Sequence, residues 1–458
     1  LQRAGRRAAA QYANDEALAY LDRALSLVPE SDRQRRYDLL VERVTIYDRI
    51  GSRDAQQADL MRLQEIAEAL DDGTPVGKRR LAQVKLYETQ LYEYTLDHEA
   101  LAEAAQRAIR LARAAGDAAL EAKARTAWGI ALTQAGDLEG AHLQWQRALS
   151  LARKAGDRQA EAGVLRRLGL RAVVSKTTWD EGKTYLEENV RIQQEIGNRA
   201  EEGAAWNALA NITQKAHDPA SALVYSSKGT RLCRMTGLRR EEAWGHFQMA
   251  WAYCPLVQLA EADHHARQAI TLFQQVNDSG GESASTVIRA WVADAAGDEA
   301  ASQKHAERAI ELADAVDTYG PTIASWLALG DALTAMERWR EARQAYRAAL
   351  DRSERTAPNG VVARAGLARV ALAQHDPSEA ATQIKVVLRA IEDDPVLYGA
   401  FGAMRVYLSC YRTLQALGDR RAEAVLRRAY RLVQERAAEI EDDELRRSYL
   451  EDEPTHRE

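Results

Sequence analysis

Apolar residues recur at three- and four-residue spacing along nearly the whole chain, and the runs that carry this spacing are broken at short intervals by Gly, Asn and Asp. The clearest copy lies between Gly116 and Asp157, where Gly-Asp pairs stand at Gly116-Asp117, Gly136-Asp137 and Gly156-Asp157. Gly past the last periodic residue ends a helix, and Asp beside it caps the next, so each pair marks a tight turn between two helices. The stretch therefore reads as a helical hairpin. Within it the small residues Gly129, Ala141 and Ala148 are set against Trp128, Leu132, Trp145 and Leu149, which lets two helices approach closely and still fill the space between them.

The same pattern repeats. Small residues of the second helix recur at Ala108, Ala148, Asn189, Gly229, Ala269, Ala309 and Ala349, at intervals of 40 or 41 residues. Leu101, Ala141, Gly182, Ala222, Ala262, Ser302 and Ala342 keep the same step, as do Leu111, Leu151, Ile192, Leu232, Leu272 and Leu312. The turn markers agree: Gly197-Asn198, Gly237 and Asn277-Asp278 continue one series, His217-Asp218 and Gly297-Asp298 the other. Residues 1–28, 32–70 and 75–115 follow the plan less strictly, as do 359–391 and 396–438. The spacing predicts about ten hairpins and a terminal helix at Asp442 to Leu450, whose acidic flanks suit the polar outer face of an end cap.

A repeat array sets aside the usual length rule, because each unit contacts only its neighbours. The 458 residues are therefore expected to form a single domain over 1–458, with irregular repeats at 1–115, regular ones at 116–353, C-terminal repeats at 354–438, and a capping helix and tail at 439–458. Apolar residues make up 46% and charged residues 28%, with nine prolines, which suits stacked helices with solvated outer faces and leaves little room for strands. The net charge is −6, with basic and acidic residues interleaved, so no basic stripe offers itself to nucleic acid. Cys233, Cys254 and Cys410 are odd in number and lack partners at metal spacing, which fits a reducing cytoplasm. No apolar run is long enough to span a bilayer, and no signal-peptide pattern is present. The chain opens at Leu1 in mid-helix, as a piece of a longer polypeptide would.

The copy at 320–353 carries Trp326-x2-Leu329-Gly330 and Ala342-x3-Tyr346-x2-Ala349, which resembles the tetratricopeptide repeat. In other copies Arg125 stands where that Trp would be and Trp128 where the Leu would be, and the period is about 40 rather than 34 residues. Longer repeats of this kind resemble the sensor regions of STAND-class regulators, the large signalling ATPases that include maltose-regulator-type transcription factors and AAA-linked cyclases. The segment Leu1 to Leu27 is similar to the entry into such repeats, and Arg447-Ser448-Tyr449-Leu450-Glu451 with Pro454 to the tail that closes them. The resemblance implies an all-α fold, a right-handed superhelical α-solenoid. It also implies an upstream ATPase and output region, with the repeats receiving an inducer or partner.

Candidate chemistry is sparse. Gly73-Thr74-Pro75-Val76-Gly77-Lys78-Arg79 has three residues between its glycines where a phosphate loop needs four, and Arg79 where it needs Ser or Thr; it reads as a turn with Pro75 starting a helix. His264 and His265 are adjacent, so on a helix they point about 100° apart and do not hold one ion together. Gly281-Glu282-Ser283-Ala284-Ser285 lacks the second Gly of a nucleophile elbow and reads as a Gly/Ser-rich turn. Glu439 to Glu444 has helix-cap rather than calcium-loop spacing. No catalytic constellation, metal site or cofactor is expected.

One surface stands above this background. First helices of such hairpins line the concave side, and projection of the pattern places Asn207, Asn211, Gln214 and Lys215 there, with Trp244 and Trp251, Trp291 and Asp294, and Asp331 and Thr334 on following units. Amides bond a backbone or a hydroxyl, and rings stack on apolar faces. The alternative, that the tryptophans fill space between long helices, stays open. The expected function is a cytoplasmic, non-enzymatic sensor or scaffold that binds a protein, a peptide or a small inducer, without nucleic acid or membrane, as part of a larger STAND-type ATPase. The second reading is a free-standing tetratricopeptide adaptor.

Overall fold

The computed structural model describes residues 1–95, 97–171, 176–315, 319–353, 357–397, 400, 402–452 and 456. Among the described residues the chain forms 23 α-helices and no strand. In chain order they fall into eleven pairs followed by the lone helix Asp443–Glu451. This is one pair more than the sequence's ten or so, because residues 1–28 form a pair of their own, Gln2–Ala10 and Asn14–Leu27.

The turns arise as the spacing of Gly and Asp requires. Gly116, Gly136, Gly156, Gly197, Gly237 and Gly297 all lie at positive φ, where a Cβ would be strained, and His217 and Asn277 take the same conformation at their places in the series. Asp117 accepts from the Leu120 amide at 3.0 Å, Asp137 from Gly140 at 2.8 Å and Asp298 from Ala301 at 3.0 Å. Each such cap is worth about 1 kcal/mol to the helix it starts.

Packing follows the small-residue registers. Ala108, Ala148, Asn189, Gly229, Ala269, Ala309 and Ala349 are all buried, and so are Leu101, Ala141, Gly182, Ala222, Ala262, Ser302 and Ala342. A Cβ on Gly129 would collide with the Trp145 ring, and the indole Nε1 of Trp145 donates to the Thr126 carbonyl at 3.0 Å. Glycine on the first helix thus seats an aromatic ring from the second.

The chain divides into two compact units. The first comprises Leu1–Arg171, Glu181–Ala208 and Arg231–Glu241, the second Ala172–Asp180, Leu209–Thr230 and Glu242–Glu458. In the first unit, first helices two repeats apart meet through ion pairs: Arg167 reaches Glu93 at 2.7 Å, and Arg166 reaches Glu241 at 2.7 Å. Burial disfavours the Arg166 charge, but Glu241 and Glu201 outweigh it and hold the guanidinium protonated. The second unit has its own core, in which Ile323, Leu327, Tyr346, Ala349 and Leu367 pack as one cluster and Ile384, Val387, Tyr407, Cys410 and Tyr449 as another.

The short motifs resolve into local structure. Lys78 Nζ lies 2.7 Å from Asp71, and Pro75 begins the helix Pro75–Thr95. Asp442 accepts from the Glu444 and Leu445 amides, the cap that the acidic run suggested. Gly281 to Ser285 is not a turn but the start of the helix Ser279–Ala295; the missing Cβ of Gly281 makes room for the Phe273 ring, and buried Ser283 donates to the Ala309 carbonyl at 2.7 Å. His265 sits 2.9 Å from His246, Nδ1 to Nδ1, and stacks on Tyr253.

Candidate functional site

The second unit holds a cleft of about 180 Å³. Its walls come from successive first helices. Trp251 lies near the end of Arg239–Tyr253, Trp291 near the end of Ser279–Ala295, and Leu327 and Asp331 on Tyr319–Ala335. Gln214 and His217 enter beside them from the end of Arg199–Lys215 and its turn. Met404 and Arg405, at the start of the helix Ala403–Ala416, and Arg436 on Ala422–Glu439 complete the lining.

An ion-pair network stands at Asp331. Its Oδ1 accepts from the Tyr346 hydroxyl at 2.6 Å and from Arg369 at 2.5 Å, while its Oδ2 lies 2.9 Å from Arg405. Arg405 also reaches Asp294 at 3.1 Å, and Arg369 donates to the Tyr346 oxygen at 2.8 Å. Burial raises the Asp331 pKa, but Arg405 and Arg369 beside it outweigh burial and hold the carboxyl below its usual value. At Asp294 burial wins over the single guanidinium, with the Asp331 charge adding to it, and the pKa lies above the usual value. Arg405 is thus held most firmly by Asp331. Burial, reinforced by Arg436, pushes the His217 pKa down to about 3, so its ring is neutral, and its Nε2 lies 3.3 Å from the Leu397 carbonyl.

Among the residues projected from sequence, the cleft gathers Gln214, Trp251, Trp291 and Asp331, and Arg405 ties Asp294 to it. Gln214 is 4% exposed, and no described residue hydrogen-bonds its amide. Asn211 and Lys215 on the same helix are half-buried, and no described residue pairs with either; burial lowers the Lys215 pKa. The others are engaged in packing. Asn207, in the first unit, is buried and donates to the Glu241 carbonyl at 2.6 Å. Trp244 stands edge-on to Phe247 and Phe273, with centroids 5.3 and 5.0 Å away. Thr334 donates to the Gly330 carbonyl at 2.7 Å and touches the Tyr346 hydroxyl.

The sequence reading missed Arg369, Arg405, Arg436 and His217. His217 reads from the sequence as a turn residue, and its ring also lines the cleft. The arginines come from hairpins beyond the regular repeats, past the last copies of the 40-residue registers. Among the described residues no three His, Cys, Asp or Glu side chains are grouped to hold a metal ion, and no helix is long and apolar enough to cross a membrane.

Residues 321–393 match the family described as tetratricopeptide repeat. No curated protein matches the chain. Among solved structures the chain is similar to a Rap protein complexed with Competence and Sporulation Factor, with a TM-score of 0.52 at 11% identity over 88% of this chain and 99% of that one. It is also similar, at a TM-score of 0.49 and 14% identity, to the apo form of the quorum sensor NprR from B. thuringiensis, over 77% of this chain and 97% of that one. A STAND protein with a tetratricopeptide repeat sensor from Pyrococcus horikoshii aligns at a TM-score of 0.48 and 15% identity, over 74% of this chain and 52% of that one. At such identities likeness carries the fold alone: the chain is all-α, a stack of helical hairpins of the tetratricopeptide type.

Proposed function

We propose that this tetratricopeptide-type stack is a recognition scaffold that takes a peptide or a protein segment into the cleft of the second unit. One observation carries the reading: Gln214 is buried at the edge of a cleft walled by two tryptophans, and its amide has no partner among the described residues. A buried amide left unpaired costs about 1–3 kcal/mol, which a ligand supplying a backbone group would offset. Trp251 and Trp291 give apolar walls for one side chain, Gln214 sets its orientation, and Asn211 and Lys215 extend the surface along the same helix. Asp331, already held by Arg405 and Arg369, keeps the charged edge in place.

Size separates peptide from small inducer. Drug-sized ligands occupy roughly 300–1,000 Å³. The cleft's 180 Å³ suits one or two side chains of a longer segment.

The experiment is a selection of displayed peptides on the chain, followed by titration of the selected peptide against Trp291→Ala and Gln214→Ala. Loss of one central aromatic anchor typically costs about 2 kcal/mol or more, roughly thirtyfold in Kd. Equal affinity for wild type and both variants would remove the cleft from the account.

The finer reading is that the scaffold is the sensor of a STAND-type signalling ATPase. Its support is the resemblance at 320–353, at Leu1 to Leu27 and in the tail from Arg447. The encoded polypeptide upstream of Leu1 tests it: a phosphate loop and winged helix there fit the sensor, whereas an initiator Met close by fits the free-standing adaptor.

A further inference from the structure

Successive hairpins of the second unit meet along a fixed face. On the second helix Trp339–Arg352 this face is Ala342, Tyr346 and Ala349, and on Pro377–Asp393 it is Ala380, Ile384 and Val387. All six are buried. The contact is direct: a Cβ on Gly366, in the following first helix Ala357–Ala373, would lie 2.5 Å from the Tyr346 ring. The same spacing returns in the helix Ala422–Glu439 as Ala422, Leu426 and Ala429.

There the face is open in part, beyond the buried Ala422. Leu426 and Ala429 are only half-buried, and with Leu408, Tyr411 and Tyr430 they line a groove of about 830 Å³ along the helices Ala403–Ala416 and Ala422–Glu439. Tyr430 is 64% exposed. The helix that follows does not close the groove. Asp443–Glu451 contributes no residue to its lining: Ser448 donates to the Leu256 carbonyl at 2.8 Å, and Tyr449 is buried in the core cluster behind the groove, with Leu256, Met404, Tyr407 and Val433. His456 reaches the groove's edge.

The geometry points to this groove as the docking site of an acidic amphipathic helix from a partner protein, seated as the first helix of a further repeat would be. Shape follows from continuity: the same three-residue face receives a helix in the two preceding hairpins. A groove between two helices takes the i, i+3, i+4 and i+7 anchors of a third. Charge selects the partner. Arg427 and Arg431 stand exposed in the lining, which holds no carboxylate among the described residues. The nearby Glu423 answers Arg427 alone, at 3.0 Å between two exposed side chains, where an ion pair contributes little. A second copy placed head to tail would bring its helix Gln2–Ala10, with Arg3, Arg6 and Arg7, against these arginines. Like charges so opposed disfavour that occupant.

The groove and the cleft make separate claims, and the test reads the groove alone. The full chain is titrated by fluorescence anisotropy with a labelled 20-residue synthetic helix carrying leucines at i, i+3, i+4 and i+7 with glutamate flanks, and with the same helix carrying lysine flanks. The glutamate helix binds at least tenfold more tightly, Tyr430→Glu abolishes the binding, and the double variant Arg427→Glu, Arg431→Glu reverses the preference. Tyr430 is exposed, so its variant keeps the wild-type melting temperature. Failure of both helices to bind overturns the proposal, as does equal binding of the two or binding unchanged by Tyr430→Glu. Self-association of the chain that Tyr430→Glu removes would assign the face to a second copy and overturn it equally.

Discussion

Tyr346 and Trp291 are large aromatic residues on neighbouring hairpins, and the fold uses them in opposite ways. Tyr346 is 1% exposed, between glycines: a Cβ on Gly330 would lie 2.6 Å from its ring and one on Gly366 2.5 Å. Its hydroxyl is bonded to Asp331 and Arg369. Trp291 is half-buried, touches two core clusters and shows part of its ring to the cleft. The seam between hairpins is thus closed on every side, while the first-helix face keeps surface open. In a repeat protein these are separate requirements: the seam must stay constant for the stack to propagate, and the first-helix face is free to differ from copy to copy.

The contrast is broken most directly by truncating both rings. Tyr346→Ala removes a fully buried ring and should cost about 3–5 kcal/mol, as large-to-small core changes do. Trp291→Ala should cost less than half as much and act on binding instead. Urea unfolding of the two variants measures this, and equal losses would make Trp291 a core residue.

A milder probe of the seam is Ala309→Leu. Ala309 is wholly buried and its carbonyl accepts from Ser283, so added methylenes force the helices apart. The expected loss is roughly 1–3 kcal/mol. An unchanged melting temperature would place the seam elsewhere.

The smallest effect at neutral pH belongs to His217, which acts on the pH dependence instead. The folded state holds the His217 pKa at about 3, below its ordinary 6.5. As pH falls below 6.5 the unfolded chain takes up a proton that the folded chain refuses, so stability falls with pH across the window from 6.5 to about 3. The slope from this one group is at most about 1.4 kcal/mol per pH unit. Asn suits the positive φ at this position, so His217→Asn should keep the turn and flatten the acid side of the stability profile. Parallel profiles for wild type and variant would show that His217 does not carry the dependence.

What was legible in the sequence was local or periodic. Gly136 and Asp137 make a turn and a cap from adjacent residues, and Ala148 and Ala309 share a register set by the hairpin itself, so a 40-residue step exposes them. The ion pairs were harder because their partners lie two or three hairpins apart. Arg167 and Glu93 are 74 residues apart, Arg166 and Glu241 75, Arg405 and Asp331 74, and Arg405 and Asp294 111. The signal was present as an acid and an arginine on first helices two or three repeats apart. It becomes visible only once first helices two repeats apart are known to approach each other within a unit. Gly281 to Ser285 misled for the opposite reason: its composition is that of a turn, and the Phe273 ring that requires the glycine is not adjacent to it in sequence.

The central claim is that the cleft of the second unit is the recognition surface. Photo-crosslinking by a selected peptide carrying a benzophenone in place of its apolar anchor tests it most directly, with the attached residues mapped by mass spectrometry. The account predicts attachment at Trp251, Cys254 or Pro255 and at Trp291 or Ala295, all of which line the cleft and not the groove. Attachment confined to the groove at Tyr411 and Tyr430, or to residues 1–171, would contradict it.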